Sequence, residues 1–125
     1  MKFNILIFGC GNIGSRHLQG VLKNRTNIEV YIVEKRKKSI NIAKKRVTEF
    51  LDKKKILFFN NLNFKKKKFD LCILATTSKQ RLTYIKDIVN QKSIRNLIIE
   101  KVAFQNIDDL KKNEIFLKEK KIKAW

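Results

Sequence analysis

The fold of this chain is decided by the stretch Gly9-Cys10-Gly11-Asn12-Ile13-Gly14. It follows the apolar run Phe3–Phe8, which has the length and the β-branched and aromatic content of a fully buried strand. A helical pattern begins inside the stretch at Asn12 and continues to Lys23. The spacing G-x-G-x-x-G is a weak signal by itself, but between a buried strand and a helix it becomes specific.

Each glycine of this stretch has a separate task in a strand–turn–helix unit. Gly9 permits the tight turn out of the strand, Gly11 lets the backbone approach a pyrophosphate, and Gly14 lets the helix pack closely on the sheet. The free N–H groups at the helix start, near Asn12 and Ile13, present partial positive charge to an anion. We therefore predict that these five residues cradle the pyrophosphate of a dinucleotide.

An acidic residue ends the second expected strand. That strand is Ile28–Val33, and Glu34 follows it, 20 positions beyond Gly14. A carboxylate in this place can accept hydrogen bonds from the adenosine ribose hydroxyls, which favours NAD as the cofactor. The alternative is a solvated loop glutamate. Because Lys35 and Arg36 come next and could neutralise a 2′-phosphate, NADP remains possible.

The rest of the chain alternates between strand and helix patterns. A polar break covers residues 24–27, and Thr76-Thr77-Ser78 can cap the third helix. Alternation of this kind, with strands apolar on both faces, predicts one α/β domain over residues 1–125 with a doubly wound parallel sheet, the Rossmann fold. Further strands are expected at Ile56–Phe59, Phe69–Ala75, Asn96–Ile99 and from Ile122, and further helices at Lys37–Leu51, Lys79–Asn90 and Asp108–Lys120.

The chain is strongly basic. Its formal net charge is +19, from 30 lysines and arginines against 11 acidic residues, and such an excess is the usual signature of nucleic-acid binding. However, lysine, isoleucine and asparagine are all abundant and proline is absent, which is typical of an AT-rich coding sequence. We therefore do not expect nucleic acid as a partner, and binding of a polyanion or an acidic ligand is the alternative.

The two cysteines, Cys10 and Cys72, have neither disulfide-framework nor metal-site spacing. We interpret them as reduced thiols that pack as small hydrophobic groups, and reactivity of Cys10 at a helix N-terminus is the alternative. No metal site is expected. The apolar runs are far shorter than the roughly 20 residues that cross a bilayer, and the N-terminus lacks a signal-peptide pattern. We therefore expect a cytoplasmic protein with no membrane partner and no indicated oligomeric state.

Three motifs carry a resemblance to a known family. The first is the extended fingerprint Gly9–His17, whose histidine comes three places after the last glycine, and the second is Asp70–Thr76. The third is Ile98-Ile99-Glu100-Lys101. Together they resemble the fingerprint, the fourth strand and the Glu-Lys-Pro motif of the Gfo/Idh/MocA oxidoreductases (glucose-fructose oxidoreductase, inositol dehydrogenase and relatives).

The resemblance implies roles for residues at the nicotinamide side. Lys101 corresponds to the family's lysine beside the nicotinamide and the substrate, which makes it the candidate catalytic residue. Thr76, Thr77 and Glu100 would line the same side. The implied activity is hydride transfer between NAD or NADP and a sugar, polyol or sugar-nucleotide-type substrate. For His17, a packed or capping role is favoured over a general acid.

Two positions depart from the family pattern. Val102 stands where the motif has proline, and Arg81 stands where many members have histidine. The family's proline commonly follows a cis peptide bond, and a non-proline cis bond costs about 3–4 kcal/mol. We therefore expect either a trans Lys101–Val102 bond with a shifted lysine, or a cis bond with strain stored there.

The family's second domain supplies substrate contacts, catalytic acid/base residues and most of the oligomer interface, and this chain has no counterpart of it. We therefore expect a truncated chain that binds a dinucleotide but does not turn over substrate alone. The alternative from another class is a non-catalytic nucleotide-sensing or basic polyanion-binding module on the same fold.

Overall fold

The computed structural model describes residues 1–24 and 27–125. Within them, six strands and four α-helices follow one another in the predicted order, and the third and fourth strands are joined without an α-helix. A short 3-10 turn at Thr48–Phe50 follows the second α-helix, and another at Ser78–Gln80 precedes the third. In chain order the elements are β1 Phe3–Phe8, α1 Asn12–Asn24, β2 Ile28–Val33, α2 Lys37–Arg46, β3 Lys55–Phe59, β4 Lys68–Leu74, α3 Arg81–Gln91, β5 Ser93–Ile99, α4 Ile107–Glu119 and β6 Lys123–Ala124.

The six strands form one sheet in the order β3-β2-β1-β4-β5-β6, and every neighbouring pair is parallel. The chain winds from β1 to β3 in one direction and then returns to the other side of β1, where β4 pairs with it. The predicted doubly wound α/β fold is therefore confirmed. In such sheets the crevice for a ligand opens where the order reverses, here at the carboxyl ends of β1 and β4.

The core has two layers because successive side chains of a buried strand point to opposite faces of the sheet. Ile5 and Ile7 of β1 pack with Leu18 and Leu22 of α1 on one face. Leu6, between the two isoleucines, joins the cluster on the other face, which includes residues of α3 and α4. Helices on both sides of the sheet thus require apolar side chains on both faces of β1, as its last four residues, Ile5 to Phe8, provide.

Helix α2 ends at Arg46, five residues before its predicted end at Leu51. Val47 leaves the helical region with a φ of −118°. The Thr48 hydroxyl then donates to the carbonyl oxygens of Lys44 and Lys45, so the side chain competes with the backbone for the last helical acceptors. A 3-10 turn therefore replaces the predicted last turn of the helix.

Helix α3 starts at Arg81, two residues later than predicted, and no side chain caps it or the 3-10 turn before it. The predicted cap from residues 76–78 is therefore wrong. The Arg81 guanidinium instead binds the Thr76 carbonyl oxygen and fixes this loop from the helix side.

Strand β5 begins at Ser93 rather than Asn96, because the buried Ile94 already pairs with Phe69 of β4. Because the exposed Arg95 interrupts the apolar run, the sequence pattern did not indicate that the strand begins earlier. Residues 25 and 26 of the predicted polar break lie outside the described residues. Among the helices that are described, none is long and apolar enough to span a membrane.

Candidate functional site

A cavity of about 740 Å³ lies at the carboxyl ends of the central strands, where the strand order reverses. Its volume falls in the range of about 300–1,000 Å³ that is usual for small-molecule sites. Five segments form its wall: the loops after β1, β2, β3 and β4, and one face of α3. The lining includes Gly9, Gly11, Asn12, Ile13, Glu34, Lys35, Arg36, residues 60–63, Ala75, Thr76, Thr77, Tyr84, Asp87 and Gln91.

The three glycines of the first loop differ in what surrounds them. Gly9 has a φ of +89°, and a Cβ there would lie 2.8 Å from the Cγ2 of Thr76. At Gly14 a Cβ would lie 2.1 Å from the carbonyl oxygen of Gly9, so the helix approaches the turn as closely as a backbone can. A Cβ at Gly11 would meet only the Arg36 Nη2, at 3.1 Å. Gly9 and Gly14 are thus required by packing, whereas Gly11 faces the cavity.

The Glu34 carboxylate is held rigidly under this loop. Its Oε2 accepts a 2.9 Å hydrogen bond from the Cys10 N–H, and its Oε1 accepts from the Arg36 N–H at 3.0 Å. Burial raises the pKa of this carboxyl, but these hydrogen bonds and the Arg36 side chain outweigh burial and bring the pKa below its ordinary value. Because Glu34 is only 7% exposed, the alternative of a solvated loop glutamate is wrong.

Two guanidinium groups flank the start of α1. Arg36 lies beside Gly11 and is mostly exposed. Arg46, the last residue of α2, donates to the Asn12 carbonyl oxygen at 3.1 Å and to its Oδ1 at 2.9 Å, and also contacts Ser15. Sequence analysis did not identify Arg46, because its contacts with α1 span more than 30 residues and follow no local spacing. The positive charge of both side chains adds to that of the helix N-terminus.

The asparagine-rich loop after β3, residues 60–63, was also missed as part of the site. Its position follows from the topology, since the carboxyl ends of parallel strands meet at one edge of the sheet. The buried Lys92 steadies the continuation of this loop by donating two 2.8 Å hydrogen bonds, to the carbonyl oxygens of Phe64 and Lys66.

At the far end of the cavity, Thr76 and Thr77 follow β4 and line its wall. The buried Thr76 Oγ1 has no hydrogen-bond partner among the described residues. Glu100 and Lys101 lie outside this lining, and Lys101 is exposed. Their predicted roles, like those of the other site residues, therefore stay predictions.

Glu100 has a partner that the sequence did not indicate. Its Oε1 contacts the Nε2 of His17, which connects α1 to the end of β5. The packed or capping role favoured for His17 did not include this contact. One residue further on, the Lys101–Val102 peptide bond is cis rather than trans.

The thiol of Cys10 is fully buried. Burial raises its pKa to about 12, and the neighbouring Glu34 carboxylate acts in the same direction, with Arg46 opposing both. The alternative of a reactive thiolate at the helix N-terminus is therefore wrong. Cys72 is also free and buried, and burial raises its pKa as well.

We predict that neither thiol reacts with Ellman's reagent at pH 8 while the chain is folded, because both are enclosed and protonated. In guanidinium chloride, where the chain is unfolded, both thiols should react with the reagent within the mixing time. The measurement is the absorbance of released thionitrobenzoate with and without denaturant. Reaction of one thiol in the folded chain would contradict the burial of Cys10 or Cys72.

Comparison with known proteins gives structural similarity only. No protein-family model and no curated protein sequence matches the chain. A scyllo-inositol dehydrogenase from Lactobacillus casei, solved with bound NAD(H) and scyllo-inositol, superposes over 100% of the chain with a TM-score of 0.74 and 15% identity. The superposed region is 36% of that dehydrogenase chain.

Two other solved structures are similar over nearly the whole chain. One is GenD2 from gentamicin A biosynthesis in complex with NAD, with 9% identity, a TM-score of 0.71, and coverage of 98% of this chain and 33% of that one. The other is a Desulfitobacterium hafniense protein assigned as an NADPH-dependent oxidoreductase, with 12% identity, a TM-score of 0.70, and coverage of 99% and 34%. The chain therefore shares the fold of these proteins and spans about a third of their length.

Proposed function

We propose that this chain binds a nicotinamide dinucleotide in the cavity at the reversal of strand order. The observation that carries the proposal is the arrangement of Gly11 and Glu34 in one cavity: an open glycine at a helix N-terminus beside a buried carboxylate. The helix start attracts the negative pyrophosphate, and the carboxylate accepts hydrogen bonds from ribose hydroxyls. Solved structures of similar fold that contain NAD(H) support the proposal.

The described residues fit each part of such a cofactor. The backbone of residues 11–13 would hold the pyrophosphate, with Arg46 adding positive charge beside Asn12. The loop at 60–63 would face the adenine side because it lies next to Glu34 at the edge of the sheet. Thr76 and Thr77 would face the nicotinamide side, because they follow β4 and line the other end of the same cavity.

NAD is the favoured form of the cofactor. Glu34 is anionic and fixed by two backbone N–H groups, and a 2′-phosphate placed beside it would be repelled. Its bound oxygens keep lone pairs for ribose hydroxyls. Arg36 and Lys35 would reduce the repulsion, so NADP is the form to test in parallel.

From the resemblance to the Gfo/Idh/MocA oxidoreductases, we propose that the whole protein catalyses hydride transfer. The dinucleotide supplies hydride chemistry when bound, and Lys101 would contact the substrate or its reacting hydroxyl group. The substrate class is a sugar, a polyol or a related compound, which an inositol dehydrogenase of similar fold supports. We further propose that residues 1–125 are the cofactor domain and that a second domain provides the remaining catalytic groups.

The test is calorimetric titration with NADH and NADPH in parallel, using the wild-type chain, Glu34→Ala and Glu49→Ala. We expect saturable NADH binding that Glu34→Ala weakens about ten-fold or more, because a hydrogen bond to a charged group contributes about 1.5–3 kcal/mol. NADPH should bind more weakly than NADH to the wild-type chain and should lose less affinity in Glu34→Ala. Glu49 is exposed in the 3-10 turn after α2 and is absent from the cavity lining, so its removal controls for the loss of one negative charge.

Either of two outcomes would contradict the proposal. Absence of binding of both dinucleotides to a folded chain would reject the cofactor site. Equal losses from Glu34→Ala and Glu49→Ala would reject the ribose-binding role of Glu34. Tighter binding of NADPH than of NADH would move the specificity from Glu34 to Lys35 and Arg36.

A further inference from the structure

A buried guanidinium lies between the loop after β4 and the loop after β5. It belongs to Arg81, the first residue of α3, which is 2% exposed. Among the described residues, no carboxylate lies within ion-pair distance of it. A buried charge is costly unless hydrogen bonds compensate it, so the partners of this group must account for its presence.

The partners are backbone carbonyl oxygens. The Nη1 of Arg81 donates to the carbonyl oxygen of Glu100, to that of Val102 at 2.7 Å and to that of Ala103 at 3.3 Å. These three peptide groups stand on both sides of Lys101. One planar side chain therefore holds the backbone on both sides of the lysine.

The second nitrogen connects this loop to the cofactor cavity. The Nη2 of Arg81 donates to the carbonyl oxygen of Thr76, whose side chain lines the cavity wall. The guanidinium thus bridges the wall of the cavity and the segment that carries Lys101. Its fork of donors is rigid, so it fixes the distance between the two loops as well as their contact.

The loop after β5 has little else to hold its backbone. Among the described residues, none from 101 to 105 makes a backbone–backbone hydrogen bond. Regular structure resumes only at α4, where the Asn106 side chain accepts from the Asp109 N–H. The carbonyl oxygens that Arg81 binds would therefore lose their shared partner if the guanidinium were removed.

We propose that Arg81 is a positioning residue that fixes the backbone around Lys101 against the nicotinamide-side wall of the cofactor cavity. The inference rests on the proposed function, because it assumes that Thr76 faces the nicotinamide. It follows that Arg81 affects the nicotinamide end of the cofactor and leaves the adenosine end, which lies at Gly11 and Glu34, unchanged. A residue that only stabilises the fold would affect both ends alike.

The experiment compares two ligands that differ at the nicotinamide end. NADH and ADP-ribose share the adenosine and the pyrophosphate, and ADP-ribose lacks the nicotinamide. Calorimetric titrations use the wild-type chain, Arg81→Met, Arg81→Lys and the control Arg95→Met, which removes an exposed arginine of β5. We expect Arg81→Met to weaken NADH binding about ten-fold and ADP-ribose binding less than about two-fold, because charge-assisted hydrogen bonds are the strong ones.

Arg81→Lys should recover only a small part of the NADH affinity, because an ammonium group keeps the charge and three donors but lacks the planar fork that spans the two loops. Arg95→Met should change neither affinity. Equal weakening of NADH and ADP-ribose, or no weakening of either by a folded Arg81→Met chain, would overturn the positioning role. If the Arg81→Met chain does not fold, NADH and ADP-ribose are compared on Arg81→Lys. An unchanged ratio of these two affinities, together with unchanged trypsin cleavage after Lys101, would then overturn the positioning role.

Limited trypsin digestion separates this inference from the proposed function. Cleavage after Lys101 is measured by mass spectrometry relative to cleavage after Lys111, which lies in α4. Arg81 variants should raise this ratio several-fold, since the loop around Lys101 loses its anchor while α4 keeps its own hydrogen bonds. A wild-type chain that binds neither ligand would reject the cofactor site, whereas an unchanged cleavage ratio would reject the positioning role of Arg81.

Discussion

The Gly14→Ala chain is expected to melt at least about 10 °C below the wild-type chain. An added Cβ would lie 2.1 Å from the carbonyl oxygen of Gly9 and 2.9 Å from its carbonyl carbon, and neither backbone atom can rotate away. Helix α1 would have to withdraw from the end of β1. Overpacking of this kind costs about 1–3 kcal/mol and occasionally more, and backbone on both sides of the contact puts Gly14 at the upper end. Thermal unfolding followed by circular dichroism measures the effect.

A matched control exists in the same helix. Outside its own helix backbone, a Cβ at Gly20 would meet no atom of residues 1–24 and 27–125 within 4 Å, so Gly20→Ala adds the same methyl group without a clash. It should raise the stability by about 0.5–1 kcal/mol, because glycine is a poor residue in a helix interior. If Gly14→Ala melted within about 2 °C of the wild-type chain, the close approach of α1 to β1 would be wrong, since a change of 1 kcal/mol moves the midpoint by several degrees.

The fold could be predicted from sequence because the information for it is local. The apolar run Phe3–Phe8 identifies the first buried strand by itself, and the glycine spacing after it defines the turn and the start of α1. The ends of helices are harder to predict where a side chain competes with the backbone for hydrogen-bond acceptors. Helix α2 ends early because the Thr48 hydroxyl takes two helical acceptors, a choice that no period of apolar residues reveals.

The candidate site was predictable only in the parts that follow strand ends. Gly11, Glu34 and Thr76 come directly after β1, β2 and β4, and the topology brings the ends of parallel strands together. Arg46 and Arg81 could not be assigned in the same way. Each reaches the site from a helix through a long side chain, and its partners are distant in the sequence: Asn12 and Ser15 for Arg46, and carbonyl oxygens of residues 100–103 for Arg81.

The contact between His17 and Glu100 shows the same limit. The two residues are 83 positions apart, and each had been considered separately. Their meeting depends on how α1 lies across β4 and β5, which is a property of the assembled sheet. Sequence patterns indicate which elements form, whereas such cross-element contacts require the packed coordinates.

Gly11→Asp is expected to lower the affinity for the dinucleotide about 100-fold or more, while the chain stays folded. In the part of the chain that the structure describes, an added Cβ would meet one atom, the Nη2 of Arg36 at 3.1 Å, which ends a mostly exposed side chain that can move. The fold therefore tolerates the substitution, as surface changes usually cost within about 0.5 kcal/mol. The new carboxylate would stand where the pyrophosphate approaches the helix start, and close like charges cost several kcal/mol in a partly buried site. Titration with NADH and a thermal melt of the same sample measure both effects.

Two further observations separate this expectation from its rival. Gly11→Ala adds a methyl group without charge, and a smaller loss of about ten-fold would show that space and charge both act at this glycine. The rival function, binding of a polyanion by the excess of positive charge, predicts affinity that falls steeply with salt and survives Gly11→Asp, because scattered lysines would carry it. NADH binding that persists unchanged in Gly11→Asp at moderate salt would therefore contradict the cofactor cradle. Loss of NADH binding with a retained melting temperature would place the ligand at Gly11, since the substitution alters the cavity and leaves the core unchanged.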